Sequence, residues 1–167
     1  IEKAYAQYYY GDAAAPLWYF ERSERPELNV NRMKKALVWL TVANGLDRFT
    51  VGTTHFTWSA EGRATEEQRR DADALLQILG TIPEITWCGD LNAPRGREIF
   101  AKFAAQYQDC IPQHYTTSID GKFHRAGALE RMVDGLFATP HYTATDVKFV
   151  DGLSDHCAIT ANIGQWH

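Results

Sequence analysis

Apolar positions recur along this chain with two different periods, and each change of period marks an element. Tyr5, Tyr8, Tyr9 and Tyr10, then Leu17-Trp18-Tyr19-Phe20, predict two strands separated by Gly11-Asp12 and Pro16. Such an aromatic cluster reads as core or strand surface rather than as a stacking platform for bases. Glu21 to Asn31 is polar, contains Pro26 and predicts a loop; Arg22, Arg25 and Arg32 are solvated charges within reach of an anionic ligand. Ala36–Val42 and Phe49–Phe56 are β-rich runs, and Asn44-Gly45 begins a turn between them that is longer than two residues. The second run ends at His55, before the loop Trp58-Ser59-Ala60-Glu61-Gly62.

The period then changes to that of a helix. Thr65 opens it, with Thr65 and Gln68 as a capping box and Glu66 and Glu67 in the first turn. Ala72, Leu75, Leu76 and Leu79 form its buried stripe, and Gly80 and Pro83 end it. Ile85 to Asn92 reads as a buried strand. After Pro94-Arg95-Gly96 a second helix carries Phe100, Phe103, Ala104 and Tyr107 on one face. Strand and helix alternating in this way predict helices layered on a sheet. Gln108 to Leu129 is long and irregular, with Pro112, Gly121 and Gly127, as functional loops often are. Three strands close the chain at Met132–Ala138, Thr143–Val150 and Cys157–Ile163.

Composition narrows the class. The 167 residues fit one domain with a substantial core, and 45% hydrophobic, 13% aromatic and 23% charged residues are globular values. The net charge of −4 gives no sign of long nucleic acid binding, which rests on neutralising phosphates. Cys88, Cys110 and Cys157 show no CxxC spacing and fit a reducing, cytoplasmic compartment, with Cys88 and Cys157 as small buried hydrophobes. No stretch approaches the ~20 apolar residues of a membrane span, and no signal peptide is visible. Residue 1 is Ile, not a translation start, so a segment upstream is expected.

Chemistry enters with polar residues at the edges of apolar strands. Asp90 and Asn92 flank Leu91, and strand alternation would put them on one face with Leu91 turned into the packing. Asp134 sits within Arg131-Met132-Val133-Asp134-Gly135-Leu136-Phe137, where an unpaired carboxylate is costly, so it needs a partner. His156 is the candidate, since a carboxylate at one imidazole nitrogen fixes the tautomer and leaves the other free. Asp155 enters the same site only if the backbone bends near Ser154. Carboxylates with an Asn oxygen suit a hard cation such as Mg²⁺ or Mn²⁺, and the His residues suit a phosphate.

Thr54-His55-Phe56, Gly89-Asp90-Leu91-Asn92, Val133-Asp134-Gly135-Leu136-Phe137 and Ser154-Asp155-His156 resemble, in order and spacing, motifs of the endonuclease/exonuclease/phosphatase family. That family includes deoxyribonuclease I, abasic-site endonucleases, inositol-polyphosphate 5-phosphatases and neutral sphingomyelinases. The resemblance implies an α/β (α+β) fold, a four-layer sandwich of two packed, mainly antiparallel sheets with flanking helices. It implies a divalent-metal-dependent phosphoesterase using Mg²⁺ or Mn²⁺, in which Asp90 orients or deprotonates the attacking water and Asn92 holds that water or a phosphate oxygen. His156, oriented by Asp134, would contact the scissile phosphate. His55 would assist the leaving group, and Asp155, with Asp90, would belong to the metal site. The substrate would be a small phosphoester, a lipid head group or a nucleic-acid end, with Lys122, His124 and Arg125 of the irregular segment reading the leaving group.

One departure stands out. The family's early Asn and metal-binding Glu have no match in residues 1–50, so the sequence is expected to be the C-terminal two-thirds of a domain of ~250 residues. A non-catalytic domain that kept the phosphate pocket is the alternative. A zinc hydrolase using His55, His114, His124 or His156 ranks last, without an HExxH or similar spacing.

Overall fold

A computed structural model describes residues 1–11, 14 and 33–166. The expected strand at Leu17–Phe20, the loop from Glu21 to Asn31 and Arg22, Arg25 and Arg32 lie outside the described residues. The elements are β1 (Lys3–Tyr10), β2 (Lys35–Asn44), β3 (Asp47–Thr54), a 3₁₀ turn (Ala60–Gly62), α1 (Glu66–Leu79), β4 (Thr86–Asp90), α2 (Glu98–Ala104), β5 (Gln108–Asp109), β6 (Asp134–Ala138), β7 (Tyr142–Val150) and β8 (Ala158–Gln165). Strands β1-β2-β3-β4-β6-β5 form one sheet in that order, and β7-β8 form a second. Every pairing is antiparallel except β3 with β4. The fold is α+β, with two mainly antiparallel sheets as expected.

Side-chain parity sorts the layers. Trp87 and Phe137 are register partners on β4 and β6 and stack at 4.7 Å. Phe103 of α2 meets Trp87 edge-on at 5.5 Å, and Phe56 meets Phe103 likewise at 5.5 Å. With Leu37, Leu75, Leu79, Ile85 and Ile99 they fill the space between the six-stranded sheet and the two helices. On the opposite face Leu136 joins Ile111 and Met132 against Ile159 and Ala161 of β8. The described residues thus build helices, a large sheet and a small sheet in succession. A cavity of about 350 Å³ remains between the sheets, bordered by Val51, Cys88, Leu136, Cys157 and Ile159. Cys88 is therefore exposed and Cys157 half-buried, not the buried hydrophobes expected, because Cys88 points away from the helix-covered face that holds Trp87.

Local differences have local causes. Asn44 pairs with Asp47, so the hairpin loop is two residues, Gly45-Leu46, shorter than expected. The Thr65 hydroxyl oxygen accepts from the Gln68 N–H at 3.1 Å, the expected cap of α1. The reciprocal arm is absent: the buried Gln68 amide donates to the Thr57 carbonyl at 2.7 Å instead, tying the helix to the loop after β3. Thr65→Ala should lower stability by about 1 kcal/mol, read as the shift of the denaturation midpoint, since one N–H at the helix start loses its acceptor. Helix α2 stops at Ala104, which is exposed; Tyr107 lies beyond it yet reaches Trp87 edge-on at 5.8 Å. Among the described residues no helix is long and apolar enough to cross a membrane.

Candidate active site

The site forms where β3 and β4 end and the antiparallel β6 begins. Asp90 and Asp134 are register partners on the antiparallel pair β4–β6, so two carboxylates face each other across adjacent strands. Strand β4 stops at Asp90, and Asn92 takes a left-handed backbone (φ 49°) that Asn tolerates better than most residues. Asn92 therefore reaches Asp90 through a turn rather than by the strand alternation expected. Its N–H donates to Asp90 Oδ1 at 2.8 Å, and its Nδ2 donates to the Phe56 carbonyl at 3.1 Å. The Phe56 N–H in turn donates to the Asp90 carbonyl at 2.8 Å, clamping the segment after β3 to the end of β4. Leu91 is fully buried, anchoring this corner.

His55 follows β3 directly and is largely exposed, with Nε2 3.5 Å from Asp90 Oδ2. His156 approaches the same Asp90 oxygen, its Nδ1 2.7 Å from Asp134 Oδ2 and its Nε2 4.0 Å from Asp90 Oδ2. The Nδ1–H donates to the carboxylate, which leaves Nε2 facing the gap between His156 and Asp90. Ser154 holds the backbone here: its hydroxyl donates to the His156 carbonyl at 2.8 Å and accepts from the His156 N–H at 3.2 Å. This bend leaves Asp155 exposed. The cluster whose ligand atoms lie within 4.8 Å of one another is Asp90, Asp134 and His156, without Asp155.

Electrostatics follows from this crowding. Burial, then the neighbouring Asp134 charge, pushes the Asp90 carboxyl above its ordinary range, against the Asn92 N–H and the two imidazoles. The hydrogen bond to Asp134 raises His156 to about 9 despite its partial burial. Because this folded value exceeds the ordinary 6.5, the pair's contribution to stability is complete below pH 6.5 and is lost as pH rises through about 9. A divalent cation beside Asp90 would oppose the imidazolium. The His156 ring resonances should therefore titrate near pH 9 in metal-free protein and at lower pH with Mg²⁺ or Mn²⁺ added, as measured by NMR.

The donor set fits a hard cation. Two half-buried carboxylates repel across a strand pair, and Mg²⁺ is typically held by one or two carboxylates with water and phosphate oxygens completing the shell. Among the remaining expected contacts, His124 lines a cavity of about 180 Å³ together with Asn92 and His156. Lys122 and Arg125 are exposed, and Lys122 Nζ lies 3.6 Å from Asp151.

Two supporting residues were not legible as such. The fully buried Ser118 hydroxyl oxygen accepts from the N–H groups of Val133 and Asp134 at 3.1 and 3.2 Å, positioning the start of β6. Asp120 accepts from the N–H groups of Gly152 (2.6 Å) and Lys122 (3.0 Å), which hold its carboxyl below the ordinary range and tie the irregular segment to the β7–β8 connection. In sequence both are ordinary loop residues.

Neither a family model nor a curated protein matches the sequence. Solved structures do match. An endonuclease/exonuclease/phosphatase from Bacteroides vulgatus superposes with TM-score 0.68 at 14% identity, over 98% of this chain and 65% of that one. TDP2 of D. rerio, solved with a single-stranded DNA product, gives TM-score 0.61 at 18% identity, over 83% and 65%. A Bacteroides thetaiotaomicron mannosyl-6-phosphatase gives 0.58 at 12% identity, over 79% and 58%. The chain spans 58–65% of the length of these structures. Motifs and backbone thus agree, and the chain has the endonuclease/exonuclease/phosphatase fold.

Proposed function

We propose that this site hydrolyses a phosphoester by attack of a positioned water on phosphorus. The observation that carries the reading is the chain of contacts from Asp134 through His156 towards Asp90, at 2.7 and 4.0 Å, on the rim of a cavity. Asp90 accepts a hydrogen bond and then a proton from the water. As the water oxygen bonds to phosphorus, negative charge grows on the phosphoryl oxygens, and the His156 imidazolium donates to them from Nε2. Asp134 keeps that ring charged and aligned. Asn92 has its Oδ1 and one remaining amide hydrogen to hold the water or a phosphate oxygen, because only one donor of Nδ2 is used by Phe56. His55, exposed beside Asp90, delivers a proton to the departing oxygen as the ester bond breaks. A divalent cation held by Asp90 and Asp134, Mg²⁺ or Mn²⁺, would supply charge neutralisation at the phosphate. Asp155 is exposed outside the donor cluster and would take part only through an outer contact.

The similar structures include a mannosyl-6-phosphatase and a protein solved with a single-stranded DNA product, so fold likeness spans a sugar phosphate and DNA. The acidic net charge of −4 favours the small end of that range. The test is hydrolysis of p-nitrophenyl phosphate and bis(p-nitrophenyl) phosphate by the full-length protein, with Mg²⁺ or Mn²⁺ and then with chelator. Turnover that needs the cation supports the reading. Phosphate binding without turnover of either ester would replace it with a non-catalytic phosphate-binding domain.

A further inference from the structure

We propose that the cavity beside His156 is a second anion subsite, which receives a carboxylate or a further phosphate carried by the group esterified to the scissile phosphate. The inference rests on the phosphoesterase reading for the first phosphate and adds the substrate class. The cavity, about 180 Å³, is bounded by Asn92 and His156 on the catalytic side and by Trp58, Ser59, His124 and Arg131 elsewhere. Its volume is below the roughly 300–1,000 Å³ of sites for drug-sized ligands, so it suits a small group and not a nucleobase with its sugar.

Arg131 decides the charge. Arg48, Arg63, Arg69, Arg70 and Arg95 each hold a carboxylate, whereas half-buried Arg131 forms no side-chain ion pair or hydrogen bond among the described residues. Its backbone is nevertheless fixed, with the N–H donating to Leu129 at 2.9 Å and the carbonyl accepting from the Ser118 N–H at 3.1 Å. A guanidinium kept beside a pocket without a counter-charge is an anion receptor waiting for its ligand. His124 adds a donor: its Nδ1 accepts from the Ala126 N–H at 3.2 Å, which leaves Nε2–H as the donating position of the ring. Ser59 is 5% exposed and its hydroxyl has no partner among the described residues, a buried polar group that a bound acceptor would satisfy. The one acid on the wall, Glu61, is neutralised by Arg63 at 2.9 Å. The wall therefore offers donors and the Arg131 guanidinium, next to the nitrogen that faces the scissile phosphate.

The experiment is isothermal titration of the full-length protein, in metal-free buffer with chelator, with methylphosphonate, phosphonoacetate and methylenebisphosphonate. The last two add a carboxylate or a second phosphonate to the same core, and comparing them tells which anion the subsite takes. At least one should bind roughly 10-fold or more tighter than methylphosphonate, the effect of one charge-assisted contact in a partly desolvated site. Arg131→Gln should erase that preference without weakening methylphosphonate, and Arg131→Lys should keep part of it, with circular dichroism confirming that both variants fold. Equal binding of all three, no binding of any, or a preference that survives in Arg131→Gln overturns the subsite. If turnover still depends on Asp90 in those cases, the phosphoesterase reading stands alone; if it does not, both fall.

Discussion

Asp90→Asn should lower phosphoester turnover by roughly 10²–10⁴-fold, the range expected when a general base is removed, while leaving the protein folded. The carboxamide keeps an oxygen for the Asn92 N–H, so the turn that closes the site persists. What disappears is the proton acceptor and the negative charge. That charge is unfavourable in the folded state, being half-buried and facing Asp134, so the thermal midpoint of the variant should equal or exceed that of the wild type. Turnover and a thermal melt on one preparation check both halves. An inactive variant that also melts early would mean that Asp90 serves structure rather than chemistry.

Gly89→Ala should have the largest effect on stability. Gly89 has φ +151°, and a Cβ placed there would lie 1.8 Å from the Thr54 carbonyl oxygen and 2.9 Å from its carbon. These are backbone atoms, so no side-chain rotation relieves the overlap, and β3 and β4 must separate. The cost should be on the order of 3 kcal/mol or more, read as a fall in the denaturation midpoint. Activity should fall as well, because the same close approach sets the 3.5 Å spacing of His55 and Asp90. Gly96→Ala is the control. It also has a left-handed backbone (φ +83°) but open space where the Cβ would sit, so only the backbone cost of about 1 kcal/mol applies. Equal losses at the two positions would show that strand contact at Gly89 is not the cause.

The residues that chemistry places out of character were the legible ones. Asp134 in an apolar strand demanded a partner, and His156 lies 2.7 Å away. The stripe of α1 was equally visible, because Ala72, Leu75 and Leu79 are fully buried at helical spacing. Parity failed where a strand ended or a layer was thin. Asn92 left the strand at a left-handed turn, and Cys88 faced the cavity between the sheets instead of a closed core. Gln68 matched a capping box, yet its amide found the Thr57 carbonyl, a tertiary partner that local pattern cannot reveal. Ser118 and Arg131 were missed for the same reason. A serine in an irregular segment and an arginine ahead of a strand look like solvated residues until the fold buries one and leaves the other beside a pocket, without a counter-charge among the described residues.

In the proposed reaction Asp90 and His156 direct a water to phosphorus. Hydrolysis of a phosphoester by the full-length protein in ¹⁸O-water, wild type beside Asp90→Asn, tests it most directly. The expected result is cation-dependent turnover that places ¹⁸O in the phosphate product and is nearly lost in the variant. Label in the alcohol product, or undiminished turnover in Asp90→Asn, would contradict it.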